Sequence, residues 1–327
     1  MQDRARILIA ASTGPRATAL AKALEFVNRR VDVVSGAAVP KTFDPYRLLV
    51  CELGPRLKRM DHLLRGLRSK AHVVLILPHL DMRWITYYLR DTRINHILLR
   101  SPSFRDLTTV VDKLESGQIF GLDRYLPTCA DLSYRRIDSF ASRCAVLEEI
   151  ERLLVQERLR GRLRRAAIQA AEELVMNAMY QAPVDTAGAR IFEQITPRAR
   201  IRRKTPRPVS LRYAVHDNCF FVSARDRFGS FRREDLAHYL LRCVTEETQI
   251  EEKKLGAGLG LYLVTSASRR MVINVLPNRV SEFICVLEAP REQESPLLQL
   301  SVTTQVPMTT AIPKGDTSEV SPLSEYD

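Results

Sequence analysis

The chain has 327 residues and a formal net charge of +12 at pH 7, with 45% hydrophobic and 27% charged residues. This composition is typical of a soluble globular protein and excludes a fibrous or a wholly disordered chain. Because no run of about 18 apolar residues occurs, we expect no membrane-spanning helix and no membrane partner. The first residues lack a signal-peptide pattern and the scattered cysteines form no CxxC pair, which favours a cytoplasmic location.

The basic charge comes mostly from arginine and is spread along the chain. By itself such a charge predicts only non-specific attraction to polyanions. The densest basic run, Arg198–Arg207, is typical of a solvated loop. No helix-turn-helix pattern is evident, so we do not expect nucleic acid to be the partner.

Short apolar runs alternate with helix-length segments over the first 120 residues. The predicted strands are Arg6–Ala10, Val31–Val34, Leu48–Cys51, Val73–Leu77 and Ile97–Leu99. The predicted helices carry apolar residues three and four positions apart and are Pro15–Val27, Pro55–Arg68, Met82–Arg90 and Ser103–Ser116. Alternation of this kind predicts an α/β fold, with a doubly wound five-stranded parallel sheet in a domain of residues 1–120.

Residues 121–164 are expected to connect this domain to a second one through a long helix. The helix is predicted over Ala145–Leu163, with Gly161 as a point where it can break. An apolar stripe along it comprises Val146, Ile150, Leu153 and Leu154. The stripe fits a homodimer formed through this helix, and it equally fits packing against a neighbouring sheet.

A second α/β domain is predicted over residues 165–288. Its two predicted hairpins have the strands Val209–Val215, Cys219–Arg225, Val272–Leu276 and Phe283–Leu287. Residues 289–327 are acidic and rich in Ser and Thr, a composition that predicts a disordered tail.

Two segments of the second domain carry polar residues that suit ligand binding. Glu173 and Asn177 lie four positions apart on a predicted helix and therefore share one face, where a carboxylate and an amide can share a magnesium ion. Asp226 follows an apolar strand and precedes Gly229, so it can accept a hydrogen bond from a ligand's amino group. Taken alone, each pattern is equally typical of an exposed polar pair or a turn.

A third segment is rich in glycine and leads into an apolar segment of helix length. Three of the 13 glycines fall within five positions, namely Gly256, Gly258 and Gly260. Glycine lets phosphate oxygens approach the backbone N–H groups at the start of a helix. The preceding stretch, which includes Lys253 and Lys254, is polar and does not resemble a strand. This argues against a Rossmann dinucleotide site and favours a lid that faces phosphates.

In order and spacing, these three segments resemble the Bergerat-fold ATPases of the GHKL group, which include gyrase, histidine kinases and anti-sigma serine kinases. The matches to the N box and the DxFG box are Glu173, Asn177, Asp226, Phe228 and Gly229. The three glycines of the third segment match the GxGxG box that follows the ATP lid. The resemblance covers about residues 165–288 and implies a two-layer α/β sandwich that binds ATP and Mg²⁺.

The resemblance also implies roles for individual residues. Asn177 would ligate magnesium, and Asp226 would bind the adenine amino group. The glycines would hold the end of the lid near the phosphates. Glu173 matches a glutamate that polarises the attacking water or hydroxyl in the gyrase and anti-sigma kinase branches.

Two departures from the family pattern bear on function. The N box usually continues with a basic residue where Tyr180 and Gln181 stand. No histidine lies between positions 97 and 215, so the chain lacks the phospho-acceptor of a histidine kinase. We therefore expect serine/threonine phosphotransfer from Mg-ATP to a protein partner of a signalling pathway, as in the anti-sigma branch. The alternative is a nucleotide-binding regulator that transfers no phosphate.

Residues 1–120 resemble a response-regulator receiver. Glu52 stands where a receiver has its phosphoryl-accepting Asp, and Arg100 corresponds to the lysine of the fifth strand. Ala10, Ala11 and Ser12 stand where an acidic pair is expected. The resemblance implies a pseudo-receiver that is not phosphorylated. Glu52 is then either a structural carboxylate or a mimic of the charged, switched-on state.

Overall fold

Strands and helices alternate along the chain, and the protein belongs to the α/β class. The computed structural model describes residues 6–11, 14–25, 30–35, 46–53, 63–67, 71–79, 81–99, 103–237, 240, 259–289, 297 and 299–304. Strands from these residues form one mixed sheet of 11 strands.

The first five strands form the parallel half of this sheet. They are β1 (Arg6–Ala11), β2 (Val31–Ser35), β3 (Tyr46–Glu52), β4 (His72–Leu77) and β5 (Ile94–Leu99). They pair in the order β2-β1-β3-β4-β5, and every pair is parallel. All five strands predicted from the apolar runs are present, because residues buried on both faces of a parallel sheet are nearly all apolar.

Three helices of this half are α1 (Gly14–Glu25), α2 (Met82–Tyr88) and α3 (Phe104–Ser116). Ser103 begins α3 with a capping box, in which its hydroxyl accepts from the Asp106 N–H and the Asp106 carboxylate accepts from the Ser103 N–H. Gly117 ends it at φ 70°. Much of the helix predicted over Pro55–Arg68 lies outside the described residues.

The next five strands form the antiparallel half. They are β6 (Ser133–Ile137), β7 (Val209–His216), β8 (Cys219–Asp226), β9 (Arg270–Leu276) and β10 (Val280–Glu288). Helices of this half are α4 (Phe140–Gln156), α5 (Gly161–Met176), α6 (Pro197–Ile201) and α7 (Leu259–Ala267). Both predicted hairpins are present, and Asp217 and Asn218 turn the first one with φ values of 48° and 58°.

The structure differs from the expectations from the sequence at three points. The connector contains β6, whose polar sequence SYRRI pairs with β7 at the end of the sheet. The long helix is interrupted at residues 157–160, where Arg158 has φ 55°, rather than at Gly161. The sequence predicts disorder over residues 289–327, but Gln299–Thr304 form β11.

The apolar stripe of the connector helix faces the protein's own core. Val146, Ile150 and Leu154 on α4 are buried in one apolar cluster with residues of α5 and β8. Leu153 packs against the same cluster. Of the two alternatives that the sequence left open, packing against the neighbouring sheet is therefore the one that the described residues show.

Strand β11 joins the two halves into a continuous sheet. It pairs antiparallel with β5 and parallel with β9. On α3, Asp106 receives hydrogen bonds from the Arg270 guanidinium of β9, including one from Nε at 3.1 Å. Further along α3, the fully buried Lys113 donates to Oδ1 of Asn274 at 2.5 Å. Helix α3 thus docks on the antiparallel half through polar contacts.

Replacing Arg270 with Met should lower the free energy of unfolding by about 1 to 2 kcal/mol, since the hydrogen bonds to a largely buried carboxylate are lost. Urea denaturation measures the change. Arg135→Met is the matched control, because Arg135 pairs with Glu149 at the surface and its loss should cost less than about 1 kcal/mol. Equal losses in the two variants would show that the Asp106–Arg270 contact does not couple the halves.

Candidate functional site

Helix α5 carries the first predicted pair and ends in a π-helical turn, Asn177–Gln181. A π-helical turn holds more residues than an α-helical turn, so the side chains after it point in different directions from those of a continued α-helix. Such turns are frequent at functional sites. Tyr180 is buried and packs edge to face on Phe192, with ring centroids 5.4 Å apart. Asn177 is only half-buried, as is Glu173 one turn earlier.

Glu173 lies against the start of α7. A Cβ atom added to Gly260 would lie 2.0 Å from Oε2 of Glu173, so a larger residue there would displace the end of the Glu173 side chain. Burial, reinforced by the neighbouring Glu172, raises the pKa of Glu173. Glu172 itself pairs with Arg143 at 3.5 Å. Glu173, in contrast, forms no ion pair with any residue that the structure describes.

Asp226 ends β8 and is 1% exposed. Its Oδ1 accepts hydrogen bonds from the N–H groups of Phe228 at 2.8 Å and Gly229 at 3.1 Å. Burial raises the pKa of Asp226 to about 6, and the hydrogen bonds from the Phe228 and Gly229 N–H groups offset part of that rise. Within the described part of the chain, neither Oδ2 of Asp226 nor Oγ of Ser281 has a hydrogen-bond partner. A buried carboxylate oxygen of this kind is ready to accept a hydrogen bond from a ligand.

Gly229 holds the turn after Asp226 under the β9–β10 connection. Its φ is +61°, and an added Cβ would lie 2.2 Å from the carbonyl oxygen of Leu276. The N–H of Asn278 donates to the Gly229 carbonyl at 3.2 Å. The next residue, Ser230, donates its hydroxyl proton to the Ala182 carbonyl at 2.7 Å and so ties this turn to the end of the π-helical turn.

The three segments that the sequence singled out are neighbours in the fold. Helix α5 contacts both β8 and α7, and the π-helical turn also contacts β8. Among the described members, Gly260 lies against Glu173, and Asp226 accepts hydrogen bonds from the N–H groups of Phe228 and Gly229. Asn177 follows Glu173 by one turn at the end of α5, and carboxylate and amide oxygens are ligand types that suit magnesium.

Several predicted site residues cannot be placed. Lys253, Lys254, Gly256, Gly258 and Arg100 lie outside the described residues. Glu52 stands at the carboxyl end of β3, in register with Ile76 of β4, and Ala11 ends β1 at the same edge of the sheet. In the described ranges, no group of three or more His, Cys, Asp or Glu side chains could hold a metal ion.

Sequence reasoning missed two contributors to this region. Ser281 has no motif around it, and only the register between β8 and β10 places it opposite Asp226. Arg190 lies on a loop bridged back to Val184, and its Nη1 donates to Oε1 of Gln181 at 3.2 Å. An arginine from a separate segment thus reaches the helix end where the family pattern has a basic residue. Neither contact could be inferred from local sequence.

Comparisons with known proteins do not assign the chain to a family. No protein-family model matches the sequence, and no curated protein matches it at a significant level. Among solved structures, homoserine dehydrogenase from S. aureus matches with a TM-score of 0.18 and 8% sequence identity, covering 92% of this chain and 99% of that chain. A TM-score of that size supports no statement about fold or activity. In the described residues, no helix is long and apolar enough to span a membrane.

Proposed function

We propose that residues 165–288 bind Mg-ATP in the manner of a GHKL ATPase. The observation that carries this proposal is the buried carboxylate of Asp226, whose Oδ2 has no partner among the described residues. Purine amino groups are hydrogen-bond donors, and an ionised carboxylate oxygen is a strong acceptor for them. The elements that carry Glu173, Asn177 and Gly260 contact one another or β8, and these residues offer the carboxylate, the amide and the bare backbone that the resemblance assigns to the triphosphate and its magnesium.

The residues present suit the chemistry of phosphoryl transfer. The oxygen of Asn177 would hold magnesium, which, when bound, neutralises charge on the phosphates. Glu173 orients and deprotonates the acceptor hydroxyl, and its raised pKa suits a general base because it brings basicity closer to neutral pH. By the resemblance, Gly256, Gly258 and Gly260 would hold the end of the lid near the phosphates. The proposed reaction is transfer to Ser or Thr of a signalling protein in the cytoplasm.

We propose that the parallel half acts as a pseudo-receiver for this ATPase. Its strand order, β2-β1-β3-β4-β5, is that of doubly wound flavodoxin-like sheets. Glu52 at the carboxyl edge takes the position of a phosphoryl-accepting Asp, while alanine ends β1. Signals would then reach the ATPase through contacts of this half rather than through its phosphorylation.

A second candidate function is a nucleotide-binding regulator that transfers no phosphate. The burial of Tyr180 favours it, because the position where the family has a basic residue faces the core here. The two functions share the nucleotide site and differ only in the chemical step. Thermal shifts with Mg-ATP and Mg-ADP test binding, and the absence of a shift with either nucleotide would refute both.

Glu173→Gln should retain Mg-ATP binding but slow ATP turnover about 100-fold or more, because the general base is lost while the shape is kept. Binding is measured by calorimetry and turnover by transfer of labelled phosphate from ATP to candidate partner proteins. Glu172→Gln is the matched control, since its carboxylate pairs with Arg143 instead, and it should turn over at close to the wild-type rate. Unchanged turnover in Glu173→Gln would contradict the role given to Glu173, whereas a wild type that binds ATP without turnover would support the regulator.

A further inference from the structure

A cleft of about 1300 Å³ lies between the parallel and antiparallel halves. His72 and Arg93 line it from the parallel half, and Arg190 and Arg232 line it from the antiparallel half. Lys113 of α3 lines it as well. The cleft is larger than the roughly 300 to 1000 Å³ typical of small-molecule sites, so size does not exclude a ligand.

Positive charge exceeds negative charge along this cleft. The lining residues include five Lys or Arg side chains and two acidic ones, Glu234 and Asp235. Arg190 approaches Asp235 at 3.5 Å, and Arg93 pairs with Asp91 at 2.7 Å. The exposed side chain of Arg232 forms no ion pair with a residue that the structure describes. Its guanidinium is therefore available at the rim.

Two further cations of the cleft are buried, and neither is in direct contact with a carboxylate of the described residues. Arg233 is 7% exposed and donates to the carbonyl oxygens of Asp91, Ile94 and Val302, and burial lowers its pKa to about 10. Lys113 is fully buried on the amide oxygen of Asn274, and burial lowers its pKa to about 7. Burying a cation is costly unless a counter-charge accompanies it.

Glu282, the carboxylate that acts on Lys113, already accepts hydrogen bonds from other residues. The carboxylate of Glu282 accepts hydrogen bonds from Arg225 and Ser223 at 3.0 Å, and from the Gly121 N–H at 2.9 Å. Asn274 stands between this carboxylate and Lys113, since its Nδ2 donates to Glu282 while its Oδ1 accepts from the ammonium. The charge of Glu282 is thus shared with Arg225, and an anion in the cleft would supply the counter-charge that Lys113 lacks.

We propose that this cleft binds a small polyanion, a molecule with two or more phosphate or carboxylate groups, held by direct contact with Arg232 at the rim and attracted by the positive charge of the buried Lys113 and Arg233. The forked guanidinium matches phosphate and carboxylate oxygens and can bind them in bidentate fashion. The cleft borders the candidate nucleotide site, since Gly229 lines it, but Glu173, Asn177, Asp226 and Gly260 do not. The proposal therefore does not depend on nucleotide binding.

Isothermal titration of the full chain with tripolyphosphate, and separately with citrate at matched ionic strength, tests the proposal. We expect wild type to bind at least one of them, and the comparison tells a phosphate ligand from a carboxylate ligand. Arg232→Gln should weaken that binding about 10-fold, the loss of a charge-assisted contact. Arg162→Gln, which removes the same charge from an exposed position of α5 outside the cleft, should leave it unchanged.

Three results would overturn the proposal. The first is that wild type binds neither probe, and the second is that Arg162→Gln weakens binding as much as Arg232→Gln, which indicates general charge attraction. The third is that saturating Mg-ADP abolishes the binding, which places the probe in the nucleotide site. Conversely, probe binding that is sensitive to Arg232 in a protein that binds no nucleotide would sustain this proposal while refuting the proposed function.

Discussion

Asp226→Asn should make the protein more stable at pH 7 and abolish its binding of adenine nucleotides. Burial raises the pKa of Asp226 to about 6 from a usual value of 3.8, so ionisation is harder in the folded state than in the unfolded state. Above both values the ionised carboxylate therefore costs the fold about 3 kcal/mol. Asparagine removes this cost, and its Oδ1 can still accept from the N–H groups of Phe228 and Gly229.

The raised pKa of Asp226 also determines how the stability gained by Asp226→Asn depends on pH. A carboxyl group with a raised folded-state pKa destabilises the protein at neutral pH, and this destabilisation fades as pH falls through about 6 toward about 4. The stability gained by Asp226→Asn should therefore shrink over the same range. Urea denaturation at several pH values measures it, with Asp217→Asn in the exposed hairpin turn as the control.

Although Asp226→Asn should stabilise the fold, it should weaken nucleotide binding. Asparagine presents an N–H donor or a weaker acceptor where the carboxylate would accept from the purine amino group, so calorimetry should detect no Mg-ADP binding at concentrations that saturate wild type. A variant that is less stable than wild type at pH 7 would contradict the burial argument. A more stable variant with wild-type affinity would show that Asp226 does not contact the nucleotide.

Gly229→Ala should lower the free energy of unfolding by about 2 to 4 kcal/mol. An L-residue at φ +61° costs about 1 kcal/mol or more. The added Cβ would also lie 2.2 Å from the Leu276 carbonyl oxygen, 2.6 Å from the Arg279 nitrogen and 2.8 Å from the Val280 nitrogen. These are backbone atoms of a hairpin turn, so they cannot move aside as a flexible side chain would, and overpacking adds about 1 to 3 kcal/mol.

Gly188→Ala separates the cost of a positive φ from the cost of overpacking. Gly188 has φ +83°, but nothing lies within 4 Å of an added Cβ. This variant should therefore lose only the conformational part, about 1 kcal/mol. Chemical denaturation of both variants under the same conditions gives the comparison. Equal losses would show that the turn after Asp226 is not packed against the β9–β10 connection as described.

Local sequence was enough to predict most of the strands. The five strands of the parallel half are continuous apolar runs, and both hairpins have turn residues such as Asn218 and Asn278 that tolerate positive φ. Strand β6 was missed because SYRRI is mostly polar and lies at the end of the sheet. Strand β11 was missed because its composition resembles the tail around it, and its strand conformation is stabilised by partners on β5 and β9.

The sequence by itself determined which residue types are present for nucleotide chemistry and in which order. The carboxylate and amide on one helix, the Asp before a glycine turn and the later glycines are all local patterns, so spacing alone reveals them. Tertiary structure decided what these groups can do. Asp226 is shielded from solvent in part by β10. The packing of α5 on α7 brings the carboxylate of Glu173 against Gly260. The basic cleft forms only where the two halves of the sheet meet. Burial and electrostatic coupling depend on neighbours that are distant in the chain, and for that reason the sequence pattern does not contain them.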